Sequence, residues 1–202
     1  MKKALLAVVS AAFATTLFAA PRTYTVTTDG KNYAMFSSEA TLETVHGRTT
    51  KVSGTIDADP ANVADSKVDV TIDLASLDTG INMRNEHMRD RFLNVEKFPT
   101  ATFKSVSVSG PKTVAANKPT DINVTGDFTL HGVTKRITVP VRVVVIPESE
   151  LTKSSRGAGD WLHATAGFAI KLSDYGIDVP QALVMKLSDG LTIKLDVFAN
   201  AK

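Results

Sequence analysis

The chain of 202 residues has no cysteine. It can therefore be neither a disulfide scaffold nor a lipoprotein acylated on cysteine, and it offers no thiol nucleophile. A G-x-S-x-G elbow is missing as well. The histidines, His46, His87, His131 and His163, are widely spaced, with no H-x-H or H-E-x-x-H pattern to gather metal ligands on one face. The G-x-G element at Gly157-Ala158-Gly159 lies in a polar loop with no following helix to cradle phosphate. These absences argue against an enzyme and against a metal site. No linker, low-complexity tract or internal repeat divides the sequence, so one domain is expected.

Excess charge is also lacking. The formal charge of +2 includes Lys2 and Lys3 of an N-terminal segment, MKKALLAVVSAAFATTLFAA, that reads as a secretory signal peptide. Its charged end is followed by an apolar run, Leu5 to Phe18, and by small residues, with cleavage expected after Ala19 because Pro21 follows. The run is short for a transmembrane span and has the wrong flanks. Removing residues 1–19 leaves a formal charge of zero, which takes away electrostatic support for nucleic-acid binding. The expected destination is the periplasm.

What remains is mostly strands. The stretch Val68 to Phe103 organises the chain. In VDVTIDL, Val68, Val70, Ile72 and Leu74 alternate with Asp69, Thr71 and Asp73, the period of a strand with one dry and one wet face. From Asn82 to Leu93 the period changes to one or two amphipathic helical turns carrying Met83, Met88, Phe92 and Leu93. Pro99 ends that plug. Asp29-Gly30 signals a turn before a run from Asn32 to Thr44, and His46-Gly47 reads as a break. Asp57 to Ser66 is a polar loop. The parity change between Phe103 and Val108 predicts a bulge near Lys104 to Val106. Ile122 to Leu130 alternates cleanly, His131-Gly132 makes a tight turn, and Val133 to Val145 forms the longest strand. Pro147 to Asp160 reads as a polar, mobile loop. Leu191, Ile193, Leu195 and Val197 form the dry row of the last strand.

Eight or nine such strands with no crossover helices predict an all-β fold: an antiparallel barrel of about eight strands with a short helical insertion between two of them. Such an interior holds packed side chains or one slender ligand. An outer-membrane barrel would need an apolar outer face, whereas Asp69, Asp73, Arg136, Arg142, Lys194 and Asp196 place water outside.

Two motifs then carry a family resemblance. The order SLDTG (Ser76 to Gly80), Arg84, His87-Met88, Phe92-Leu93 and KFPTATFKS (Lys97 to Ser105) resembles the YceI-like family of periplasmic lipid-binding proteins. GDFTLHGVTK, Gly126 to Lys135, resembles that family's G-x-L-T-L-H-G-V-T hairpin, and DYGID at Asp174 to Asp178 its S-D-F-G-I turn. The resemblance implies a lipocalin-like barrel over residues 22–202 with an elongated apolar tunnel for a polyisoprenoid or similar lipid, such as a quinone tail, and no other cofactor. It also implies a homodimer and transient contact with membrane or membrane proteins, although no exposed apolar strip in the sequence marks an interface.

The residues expected to touch that ligand are Phe36, Val70, Ile72, Leu74, Phe103, Ile122, Val124, Phe128, Val141, Phe168, Ile193 and Leu195 on the dry faces. Met83, Met88 and Phe92 on the plug are expected to close one end. Any one inward residue taken alone is more simply ordinary core. The charge run RNEHMRDR reads more simply as a solvated helical face than as a headgroup site. Two departures from the family pattern, the lack of the usual histidine after the second strand's apolar residue in Ser37 to Gly47 and Asn85 in place of an acidic residue, lie near the expected mouth. A second reading remains open: an envelope stress protein or partner of a membrane redox complex whose barrel is a packed, ligand-free scaffold.

Overall fold

A computed structural model describes residues 21–28 and 31–201. The expected signal peptide and the Asp29-Gly30 turn lie outside the described residues. Ten strand segments follow in order: β1 (Arg22–Val26), β2 (Tyr33–Glu39), β3 (Thr44–Thr49), β4 (Val52–Ala58), β5 (Lys67–Asp73), β6 (Thr100–Ser109), β7 (Thr120–Leu130), β8 (Val133–Ile146), β9 (Asp160–Lys171) and β10 (Gly190–Ala201). Helix α1 (Asn82–His87) runs into a π-helical turn, Met88–Leu93, and helix α2 (Glu150–Arg156) lies between β8 and β9.

The ten segments make eight walls. Both β1 and β2 pair with β10, while β4 lies against β1 and β3 against β2. Each couple is thus one interrupted wall strand, and the all-antiparallel sheet closes into an eight-stranded barrel. The interruption has a measurable register cost. The nine residues from Thr25 to Tyr33 span the same length of wall as only five on β10, Asn200 to Asp196. Asn32, fully buried, patches the gap: its Nδ2 donates to the carbonyls of Thr27 (2.7 Å) and Phe198 (3.2 Å), and its Oδ1 accepts from the Phe198 N–H (2.7 Å). A side-chain amide here substitutes for the missing rungs of the ladder.

Alternation then sorts the faces. On β8, Val139, Val143 and Val145 are buried, while Arg136 and Arg142 point out and form bidentate pairs with Asp127 and Asp121 of β7. The expected bulge is present on β6: the register shifts between Ser105 and Ser107, Val106 is thrown outward, and Val108 returns to the core. At His131-Gly132 both residues adopt positive φ (51° and 76°), the conformation a two-residue turn requires between twisted strands.

Three expectations are corrected. His46-Gly47 is not a break, because β3 runs through it, and the chain reverses instead at residues 40–43, where the Ala40 N–H donates to the Glu43 carbonyl. Residues 147–160 are not all loop. Ser149 and Thr152 form a reciprocal capping box that starts α2, a helix with no buried residue and so no hydrophobic period to read. The insertion between β5 and β6 is longer and more ordered than one or two turns, with α1 continuing into the π turn and ending at left-handed Asn94.

The buried apolar residues fall into two clusters along the barrel axis, one around Tyr24, Val52, Val124, Val143 and Leu162, the other around Leu74, Ala101, Phe128, Leu172 and Tyr175. Replacing Asn32 by Ala takes the acceptor from the Phe198 N–H, while the Phe198 carbonyl keeps the Thr27 N–H, so it should cost about 1–3 kcal/mol. Urea unfolding of Asn32→Ala against the parent should show that loss with little change in the m-value.

Candidate functional site: an apolar channel along the barrel axis

The two ends of the barrel are built differently. At one end the loops 59–66 and 110–119 hydrogen-bond to each other, Val63 N–H to the Lys112 carbonyl (3.0 Å) and Val114 N–H to the Pro60 carbonyl (2.9 Å). The buried side chains of Val63 and Val114 form a floor. At the other end lie α1, the π turn and the loop before β10, which surround a mouth.

Between floor and mouth run two cavities. The deep one, about 120 Å³, is walled by Val68, Val70, Phe103, Val108, Ile122, Val124, Val139, Val141, Val143, Val145, Leu162, Ala164, Ala166, Phe168, Leu195 and Val197. The outer one, about 600 Å³, is walled by Phe36, Leu74, Leu77, Met83, Met88, Phe92, Leu130, Ile170, Leu172, Leu183, Leu187 and Leu191. Ile72, Phe128 and Ile193 line both, so the two spaces adjoin at a neck formed by these three side chains. Phe128 is fixed there edge-on to Phe168 and to Tyr175, each with ring centroids 5.6 Å apart.

Glycine keeps two of the rings off the axis. A Cβ at Gly47 would lie 2.1 Å from Cε1 of Phe36, and one at Gly126 would lie 2.6 Å from Cζ of Phe103. Each phenyl therefore rests over a glycine of the neighbouring strand, where it covers bare backbone instead of crossing the lumen. This explains why Gly47 sits inside a strand.

The plug is seated by polar groups. Asp78 exchanges two backbone hydrogen bonds of 2.9 Å with Arg48, so the SLDTG segment continues the wall beside β3. Buried Asn85 accepts from the Thr79 N–H and hydroxyl (2.8 Å each) and donates to the Asp78 carboxylate (2.7 Å). The amide suits this position because it must donate and accept at once. The Gly80 N–H, then the Asn85 amide, hold the Asp78 carboxyl below its ordinary range. Arg84 donates from Nε to the Thr79 hydroxyl (2.9 Å), from Nη2 to the Thr79 carbonyl (2.9 Å) and from Nη1 to Glu43 (2.7 Å). The charge run is therefore in part a fastening, not only a solvated face. Glu43, Thr79, Arg84, His87 and Lys186 are the polar residues at the outer cavity.

The structure places all fifteen residues singled out from sequence on these walls. Phe36, Leu74, Met83, Met88 and Phe92 line the outer cavity; Val70, Phe103, Ile122, Val124, Val141, Phe168 and Leu195 the deep one; Ile72, Phe128 and Ile193 the neck. Met83 does not close the end. It is 67% exposed and sits on the rim. Sequence reasoning missed Ala164 and Ala166, whose small side chains leave little trace in a hydrophobic period, and the loop residues Val63, Val114, Leu183 and Leu187. Val143 and Val145 were legible in the dry row of β8. Among the described residues there is no cluster of three or more His, Asp or Glu able to hold a metal ion.

An eight-stranded antiparallel barrel with a dry axial channel, sealed at one end and plugged by a helical insertion at the other, is a lipocalin-like binding barrel. Residues 24–199 match the YceI-like domain, and the chain belongs to that family. It is 34% identical over 187 residues to a UPF0312 protein of Vibrio cholerae, covering 89% of this chain and 90% of that one. It is 36% identical over 138 residues to Protein YceI of Escherichia coli, covering 66% of this chain and 63% of that one. Among solved structures, Burkholderia cenocepacia BcnA superposes with a TM-score of 0.69 at 25% identity, over 87% of this chain and 99% of that one. A polyisoprenoid binding domain from Saccharophagus degradans superposes with a TM-score of 0.68 at 20% identity, over 90% and 99%.

Gly47→Ala should push Phe36 off its seat and into the outer cavity, at a cost of about 1–3 kcal/mol. A crystal structure of the variant checks the ring position, and thermal unfolding the cost. The Asp78 carboxyl titrates below its unfolded value of about 3.9, so its contribution is present above that value and lost as pH falls through the lower, folded one. Protection factors from amide exchange in residues 78–87 should therefore drop below about pH 4, before those of the barrel strands. Asn85→Ala should bring the drop to higher pH.

Proposed function

We propose that this protein binds one long apolar tail, isoprenoid or of similar shape, along the barrel axis, and acts as an exported periplasmic carrier or sequestering protein for that lipid. The observation that carries the proposal is that two cavities, the deep one lined almost wholly by apolar side chains, lie end to end along the axis and share the neck residues Ile72, Phe128 and Ile193. A space of that shape suits a thread, not a ring. Support comes from the shared fold with the Saccharophagus degradans domain described as polyisoprenoid binding. The leader-like residues 1–19 support export.

Geometry bounds the ligand. The wall of β9 from Leu162 to Ile170 rises about 20 Å along the axis at ~3.3 Å per residue and ~40° tilt. A straight chain with C–C bonds of about 1.5 Å would place roughly fifteen carbons in that length. At about 0.8 kcal/mol per buried methylene, ten to fifteen carbons supply roughly 8 to 12 kcal/mol before the costs of ordering chain and ligand. Binding of this kind is tight and selects weakly among tails, because dispersion and hydrophobic contact have no direction.

Ala164→Phe places a ring in the deep cavity below the neck. It should cut uptake of a long isoprenoid alcohol by tenfold or more, read by native mass spectrometry, while circular dichroism stays that of a folded barrel. Uptake equal to the parent's would rule out the deep cavity as the tail site. An absence of any isoprenoid adduct with the delipidated parent would sink the proposal itself.

A further inference from the structure

Of the eight large apolar side chains left in water among the described residues, six gather at one end of the barrel. Leu42, Ile81, Met83, Leu183, Val184 and Met185 lie on three separate connections at the mouth end, whereas Val106, on the β6 bulge, and Leu151, on α2, stand alone elsewhere. Leu42 is 69% exposed and Met83 67%, and it is their grouping with four other apolar side chains, not the exposure of any one, that marks an interaction surface. The three loops are sewn into one rim. The Leu42 N–H donates to the Met185 carbonyl (2.8 Å), and Glu43, the next residue, receives Arg84 from α1 (2.7 Å). Exposed Lys186 follows Met185 on the same rim. Ile81, Met83 and Leu183 also line the outer cavity, so the apolar surface outside runs without a break into the channel wall.

We propose that this crown seats on a phospholipid bilayer, its apolar side chains entering the boundary between headgroups and acyl chains while Lys186 meets headgroup phosphate. The continuity of rim and lumen selects this occupant. A bilayer alone offers an apolar phase that joins the channel, so a tail could pass between the two without crossing water. A protein partner or second copy would instead cap the mouth with side chains. The inference rests on the tail-binding reading for its purpose, but its test stands apart.

The protein has no cysteine, so single cysteines can be introduced and labelled with an environment-sensitive dye. With vesicles of phosphatidylethanolamine and phosphatidylglycerol, dye at Leu42→Cys should shift to the blue, and dye at Leu151→Cys, exposed near the opposite end, should not. The combined variant Leu42→Glu, Met185→Glu should bind these vesicles roughly tenfold or more weakly in a sedimentation assay. It should still take up isoprenoid from detergent as the parent does. Equal dye responses at the two sites, vesicle binding unchanged by the acidic pair, or a dimer that the acidic pair dissolves while vesicles leave the parent unbound would each overturn docking. Tail uptake from detergent that fails in the parent would instead overturn the channel reading.

Discussion

Closure at eight walls fixes the width of this molecule, and the rest follows from what the inward rows can do with that width. A ring of eight strands is just broad enough that long side chains meet across it and short ones do not. Here the deep half is lined largely by valine and alanine, with Val68, Val70, Val108, Val124, Val139, Val141, Val143, Val145, Ala164, Ala166 and Val197 on the wall. Their branches pack sideways along the sheet and stop short of the axis. Phenylalanine would bridge the gap, yet Phe36 and Phe103 lie over Gly47 and Gly126. The deep space is therefore narrow and apolar, reaches the outer one at the neck where Phe128 stands, and gives water few partners.

The same ring explains the asymmetry of the ends. The floor is held by backbone hydrogen bonds between two loops with Val63 and Val114 buried beneath them, an arrangement with little freedom to open. The mouth is held by side chains: Arg84 on Thr79 and Glu43, Asn85 on Asp78 and Thr79. Such contacts, together with the π turn at Met88–Leu93, give the plug less backbone pairing than the strands below it. Among the described residues the apolar opening of the outer cavity thus lies beside a plug held by side-chain contacts, not by a strand ladder.

Much of this was legible in the sequence because a strand with one wet face writes its geometry directly into residue order. Rows such as Val139 to Val145 and Leu191 to Val197 announce the barrel, and the parity change before Val108 announces the bulge at Val106. The two motifs add the plug and the lipocalin-like closure. What stayed hidden depends on contacts distant in the chain. Asn32 repairs a register slip against β10, some 166 residues on, which no local pattern encodes. Gly47 looks like a turn residue until Phe36 is seen resting on it. Helix α2 carries no buried face, and Ala164 and Ala166 matter by what they fail to fill. The channel walls could be read from periodicity, whereas the vacancy between them could not, since the same valine rows would serve a packed core equally well.

That vacancy is the central claim, and pressurised xenon addresses it most directly. Xenon enters dry apolar cavities and is seen as density in a crystal of the delipidated protein. The account predicts a file of xenon sites along the axis on both sides of Ile72, Phe128 and Ile193. Density confined to the outer mouth, with the valine and phenylalanine side chains below the neck interlocked, would contradict it.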